Sequence, residues 1–194
     1  MAYDYDVFIS YSHRGSVVQW LRNHFHPTLM DCLADTMPRD PQVFVDFEQE
    51  TGVHWPHNLT QALLRSRYLL AILSPPYFRS PWCLAEWHTM RERERLTGLR
   101  SASNPRGLIH AVSYADGEHF SDDARLTQWH EMNRWAIPVP VFRETREFVI
   151  FYQEMRKLAA DLAKQIERAP DWQSEWPVIR PEPEPALVAS LPRL

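Results

Sequence analysis

The run Tyr68-Leu69-Leu70-Ala71-Ile72-Leu73 constrains this chain more than any other feature. A β-strand turns alternate side chains to opposite faces, so a strand without polar alternation must be covered on both sides. That is a central parallel strand between helical layers. The flanking segments agree. Val7-Phe8-Ile9, Val43-Phe44-Val45 and Leu108-Ile109-His110-Ala111-Val112 are expected as further strands. Between them, Val17 to Leu33 is expected as a helix, with Trp20, Leu21, Phe25, Leu29 and Cys32 or Leu33 at helical spacing. Asn58 to Arg67 follows as a second helix, and a third runs from Ser80-Pro81 to about Leu96. Later in the chain the pattern weakens. A short helix is expected around Arg125 to Met132, inside the polar stretch 114–140. Ala136-Ile137-Pro138-Val139-Pro140 is expected as a fifth strand, confined by its prolines to an edge or to irregular structure. Glu147 to Arg168 is the last helix, with Phe148, Phe151, Met155, Leu158 and Leu162 on one side.

Strand-helix alternation of this kind builds an α/β fold: a flavodoxin-like, doubly wound parallel sheet of about five strands, with helices on both faces. Ligands of such sheets bind outside the carboxyl ends of the strands. Ser10-Tyr11-Ser12-His13, Asp46 to Trp55 and Ser74 to Phe78 are therefore expected to meet at one rim.

With 194 residues, 44% hydrophobic and 12% aromatic, the chain has material for one substantial core. One domain is expected over 1–168, followed by a tail over 169–194 in which six prolines begin at Pro170, extended or mobile. A net charge of -4 offers no basic face for nucleic acid. Cys32 and Cys83 are too few for a disulfide framework and lack metal-site spacing. No apolar run reaches the roughly 18 residues of a membrane helix, and the first residues lack a signal-peptide pattern. A cytoplasmic protein is expected, with no membrane or nucleic-acid partner. Five glycines and no Gly-rich loop disfavour a Rossmann dehydrogenase or a P-loop enzyme.

Within Ser80-Pro81-Trp82-Cys83-Leu84-Ala85-Glu86-Trp87 the local chemistry starts a helix. Ser80 suits the N-cap, and Pro81 the first turn. Trp82 and Glu86 then share a face. The positions that usually neutralise a helical Glu hold Thr89 and Met90, so Glu86 lacks a local cation. An acid among aromatics without a partner is a candidate for chemistry, because its pKa is open to perturbation. The alternative is a solvated Glu beside two core tryptophans.

Three boxes in order now carry a resemblance. Tyr5-Asp6-Val7-Phe8-Ile9-Ser10-Tyr11-Ser12 resembles the first signature box of the Toll/interleukin receptor (TIR) domain. Val43 to Asp46 with Glu50-Thr51-Gly52 resembles that family's strand B and BB loop. Ser74-Pro75-Pro76-Tyr77-Phe78 with Ser80 to Glu86 resembles the strand-C exit and helix C of bacterial and plant members. The match covers roughly residues 4 to 168. The family divides into non-catalytic adaptors and enzymes that cleave NAD+ at the nicotinamide-ribose bond. Glu86 falls at the enzymatic group's helix-C glutamate, and Trp82 at the aromatic one turn earlier. The resemblance thus implies an NAD+ nucleosidase or cyclase, with NAD+ as substrate, no cofactor and no metal. It implies a catalytic Glu86 and substrate contacts from Phe8, Ser10, Ser12, His13, Asp46, Gly52, Trp55, Trp82 and Cys83. It also implies defence or cell-death signalling, and assembly with TIR domains of itself or another protein through the BB loop, Asp46 to Trp55, where Gly52 supplies backbone freedom. The second reading is an adaptor that recruits other TIR domains. A third, more remote one is a hydrolase of related fold acting on another nucleoside or nucleotide.

Other features weigh toward structure. Cys83, in a first helical turn, is open to activation as a nucleophile, with a buried thiol as the default. His54 and His57 near Glu48 and Glu50 invite a metal, but Pro56 intervenes and no third ligand is fixed. Asp116-Gly117-Glu118-His119 with Asp122 and Asp123 reads as a surface turn. Arg91-Glu92-Arg93-Glu94-Arg95 reads as a solvated helix face, and Trp129 and Trp135 as core. Two departures from the family pattern stand out. His13 takes the place of a basic residue, and the 114–140 segment is long and acidic.

Overall fold

The computed structural model describes residues 2–47, 57–100, 107–117, 120, 122–125, 127 and 129–181. Its strands are β1 (Tyr5–Ser10), β2 (Val43–Val45), β3 (Ser66–Leu73), β4 (Ile109–Ser113) and β5 (Trp129–Glu131). Its helices are α1 (Val17–Trp20), α2 (His26–Thr36), α3 (His57–Leu64), α4 (Pro81–Thr97), α5 (Asp122–Arg125) and α6 (Arg146–Ile166). A π-helical turn, Leu21–Phe25, joins α1 to α2. All strands are parallel, in the order β2-β1-β3-β4-β5. This is the expected doubly wound sheet.

The two-residue period of the strands sorts the core into two layers. Val7, Ile9, Tyr68, Leu70, Ile72 and Val112 face α1, α2 and α6, where they meet Trp20, Phe25, Leu29, Phe151, Met155 and Leu158. Phe8, Leu69, Ala71, Leu73 and Ala111 face α3 and α4, where they meet Leu63, Cys83, Trp87 and Met90. Each fully buried large apolar side chain contributes about 1.5–3 kcal/mol, so this alternation, rather than strand propensity, fixes the register. The same parity puts Ser10, two residues beyond Phe8, on the α4 side of β1.

Several expectations are corrected. The fifth strand is Trp129–Glu131, and Ala136 to Pro140 carries no strand. Pro138 and Pro140 remove two ladder donors, and Pro140–Glu144 winds instead into a 3-10 turn. The helix expected around Arg125 to Met132 is absent; a short one, α5, ends at Arg125 and an edge strand follows. The second helix stops at Leu64 because Ser66 and Arg67 already belong to β3.

The Arg91 to Arg95 run is a solvated face only in part: Glu92 and Arg95 pair at the surface, whereas Arg93 and Glu94 turn inward. Arg93 is fully buried: it donates to the Ser66 carbonyl at 2.8 Å and lies 3.5 Å from the Leu63 and Leu64 carbonyls at the end of α3. Burial pulls its pKa down to about 10, against the opposing pull of the Tyr3 phenol. Glu94 is also buried. It accepts from Arg91 at 2.7 Å and from the Leu108 N–H at 2.6 Å. Residues 169–181 form no helix or strand, yet they are anchored along α4. Trp176 lies over the Arg93 guanidinium at 4.8 Å, and the Ile179 N–H donates to Thr89 Oγ1 at 2.9 Å.

Candidate active site

In a sheet of this order, the chain leaves β1 toward one helical layer and β3 toward the other, which opens a crevice between their carboxyl ends. Ser10 pairs with Ala71 at that point. Beyond β3, a 3-10 turn (Tyr77–Arg79) brings Tyr77 down into the core. Then α4 begins. Ser80 is its N-cap, accepting from the Cys83 N–H at 3.4 Å, and Pro81 sits in the first turn, as the sequence implied. Helical geometry carries Glu86 inward, one turn past Trp82.

Glu86 is buried, with 6% exposure. Ser10 Oγ donates to its Oε2 at 2.6 Å, across 76 residues of sequence. The same Ser10 Oγ lies 2.9 Å from the Tyr77 hydroxyl, which is 3.3 Å from the Cys83 carbonyl oxygen. Burial pushes the Glu86 carboxyl up to about 8; the Ser10 hydrogen bond opposes this and nearby Asp46 adds to it. No basic residue is among the groups that shift it. Glu86 is thus a neutral acid at pH 7 in the free chain, held so by desolvation. Burial likewise raises the Tyr77 phenol and the Cys83 thiol far above their ordinary ranges. Cys83 is a thiol rather than a thiolate, which removes the nucleophile reading.

Of the residues named from sequence, Ser10, Cys83 and Glu86 come together directly. Phe8 is core, stacked on Phe44 at 5.1 Å. Ser12 is buried and accepts from the Arg14 N–H at 3.3 Å. His13 stacks on Tyr11 at 4.7 Å, and burial lowers its pKa against the pull of Asp46, so it offers a neutral ring at pH 7. Asp46 reaches the site electrostatically, and its carbonyl accepts from the Tyr11 hydroxyl. Trp82 is half-buried on α4 and packs against the layer that holds Cys83 and Trp87. Gly52 and Trp55 lie outside the described residues, as do Glu48, Glu50 and His54. Tyr77 and Tyr11 are missed as members of the site. The signal for Tyr77 was its place right after Pro75-Pro76 at the exit of an apolar strand.

Among the described residues no group of three His, Cys, Asp or Glu is placed to hold a metal ion, and no helix is long and apolar enough to cross a membrane. An open cavity of about 460 Å³, lined by Asp116, Gly117, Arg125 and Trp129, lies off β4 and β5, and Glu86 does not line it.

The family model described as TIR domain matches residues 7–129. No curated protein matches this chain. Among solved structures, the TIR domains of the activated Roq1 resistosome directly recognizing the pathogen effector XopQ are 18% identical, with a TM-score of 0.40, over 85% of this chain and 96% of that one. A likeness of that size bears on neither activity nor assembly.

Proposed function

The chain belongs to the TIR domain family, and from that premise we propose that it cleaves NAD+ at the nicotinamide-ribose bond, with Glu86 as the acting carboxylate. The observation that carries this reading is the buried Glu86 at the β1/β3 crevice, held among the described residues by one hydroxyl and shifted by no cation of theirs. A carboxylate with only a structural task is ordinarily matched by a base or by several N–H donors.

The chemistry suits one carboxylate. The bond between ribose C1′ and the nicotinamide nitrogen breaks with its electron pair on nitrogen, so nicotinamide departs neutral and needs no proton. Positive charge passes to the ribose as an oxocarbenium ion, which an adjacent carboxylate stabilises. Water adds to C1′ and releases a proton, giving ADP-ribose; an adenine nitrogen in the same place gives a cyclic product. Glu86 acts in its anionic form, although burial keeps it neutral in the free chain. The cationic nicotinamide ring of the substrate supplies the missing opposite charge and drives the proton off. The same proposal assigns substrate contact to Trp82 at the start of α4 and to Ser12 and the neutral His13 after β1. Assembly of copies through the BB loop, and a part in defence signalling, belong to the same proposal.

The test is NAD+ consumption by the purified chain at high concentration, wild type beside Glu86→Ala, with products resolved by mass spectrometry. Nicotinamide release by the wild type alone upholds the reading, and the second product separates hydrolase from cyclase. Inertness of both under forced assembly leaves an adaptor. Equal activity in both removes Glu86 from the chemistry.

A further inference from the structure

Ser10, Tyr77, Glu86 and the Cys83 carbonyl form a buried chain of oxygens whose protons can be counted. Ser10 and Tyr77 each carry one hydroxyl proton, whereas an ionised Glu86 and the Cys83 carbonyl only accept. With Glu86 ionised, Ser10 donates to Oε2 at 2.6 Å, and its own lone pair takes the Tyr77 proton at 2.9 Å. With Glu86 protonated on Oε2, the chain runs the other way. Glu86 donates to Ser10, Ser10 to Tyr77, and Tyr77 to the Cys83 carbonyl at 3.3 Å. Turning two hydroxyl rotors serves both states; in the ionised one the Cys83 carbonyl, inside α4, keeps its helical N–H and gives up only the Tyr77 proton. We propose that Tyr77 is a positioning residue for Glu86: its hydroxyl turns Ser10 toward the carboxylate when the acid ionises and accepts the Ser10 proton when the acid is neutral.

This inference rests on the reading of Glu86 as the reacting acid. Its physical content is an asymmetry between the two states. Without the Tyr77 hydroxyl, a neutral Glu86 protonated on Oε1 still accepts from Ser10 at Oε2, so that state loses little. The ionised state loses the donor that polarises Ser10, in a dry setting where charge-assisted hydrogen bonds are strong. The other titratable groups facing this point are Tyr11 after β1, Asp46 after β2, and Cys83 and Arg91 on α4. Arg91 is the cation among them; it acts on Tyr77 and is not among the groups that shift Glu86, so none of them replaces Tyr77 as a stabiliser of the anion.

The test is a carbon-13 NMR titration of glutamate carboxyls in the full chain, with Glu86 assigned by Glu86→Gln. In Tyr77→Phe the Glu86 midpoint should rise by roughly one pH unit, a tenfold change in ionisation, as expected for one buried hydrogen bond. It should rise at least as far in Ser10→Ala, and no further when both changes are combined. A folded Tyr77→Phe chain with an unchanged midpoint, or shifts that add in full, overturns the proposal. A second variant guards against failure to fold: 3-fluorotyrosine at position 77 keeps the packing and strengthens the donor. It should lower the midpoint, and a midpoint that stays or rises overturns the proposal equally. NAD+ cleavage gives a parallel readout. Tyr77→Phe should lose about tenfold in rate at pH 7 and recover it at alkaline pH, whereas a packing defect would persist at every pH. A wild type that leaves NAD+ intact in every assembled state would end the enzymatic reading, yet the carboxyl titration would still decide the role of Tyr77.

Discussion

Asp6 and Glu86 are both buried carboxylates tied to β1, one at each end of the strand. Asp6 is 2% exposed and Glu86 6%. Around Asp6 the chain supplies full compensation. Arg39 donates to both carboxylate oxygens, the Gln42 N–H donates at 3.0 Å, and Arg67 Nε stands 3.5 Å away. Those contacts tie β1 to the entry of β2 and to β3, which is a structural task. Around Glu86 the described residues supply one hydroxyl. Equal burial with unequal compensation separates an acid that holds the sheet from one held ready for a substrate.

That contrast can be broken by measurement. The largest effect expected is on turnover. Glu86→Gln should reduce NAD+ cleavage by at least about 10²–10³-fold, while a folded Asp6→Asn chain should keep most of its activity. Comparable losses in both would erase the distinction. Next comes stability, where the order reverses. Asp6→Ala leaves the Gln42 N–H without its acceptor and frees Arg39 and Arg67 from the carboxylate, and should lower unfolding free energy in urea by about 1–3 kcal/mol.

The pH dependence follows with its own sign. Glu86 goes from 4.5 in the unfolded chain to about 8 in the folded one, so the folded state holds the extra proton between those values. Its share of stability is complete below about pH 4.5 and is lost as pH rises through about 8, at no more than about 1.4 kcal/mol per pH unit. Glu86→Gln should remove that slope, so that the variant gains on the wild type as pH rises, and calorimetry from pH 5 to 9 reads it directly. For the same reason kcat/KM for NAD+ should climb with pH toward about 8, where the free acid ionises. The smallest effect sharpens the local frame: Ser80→Ala removes the cap of α4 and should lower stability by about 1 kcal/mol, with turnover falling only as far as Glu86 is displaced.

Much of the frame was legible because its signals are local. Periodicity in Tyr68 to Leu73 and in Glu147 to Arg168 identifies a buried strand and a one-sided helix from neighbouring residues alone. Ser80 and Pro81 mark the start of α4 in the same way. Errors fell where local signals were weak or overruled. Trp129-His130-Glu131 has no strand pattern of its own; it becomes β5 by pairing with Ala111, Val112 and Ser113 at the sheet edge. Arg93 reads as solvent-facing from its charged neighbours, but Trp176, 83 positions on (176 − 93), covers it.

The α/β frame, the two-faced parity of the strands and the oddity of Glu86, an acid with no cation one turn away, all follow from residue order alone. Those properties depend on residues within a few positions of each other, where helical and strand geometry leave little choice. That Glu86 meets Ser10, and that Tyr77 closes the chain of oxygens, is a result of folding. Folding also decided that Asp6 is neutralised while Glu86 is not. Those contacts join residues from 33 to 76 positions apart, and they exist only because the order β2-β1-β3 brings the end of β1 against the turn that leaves β3.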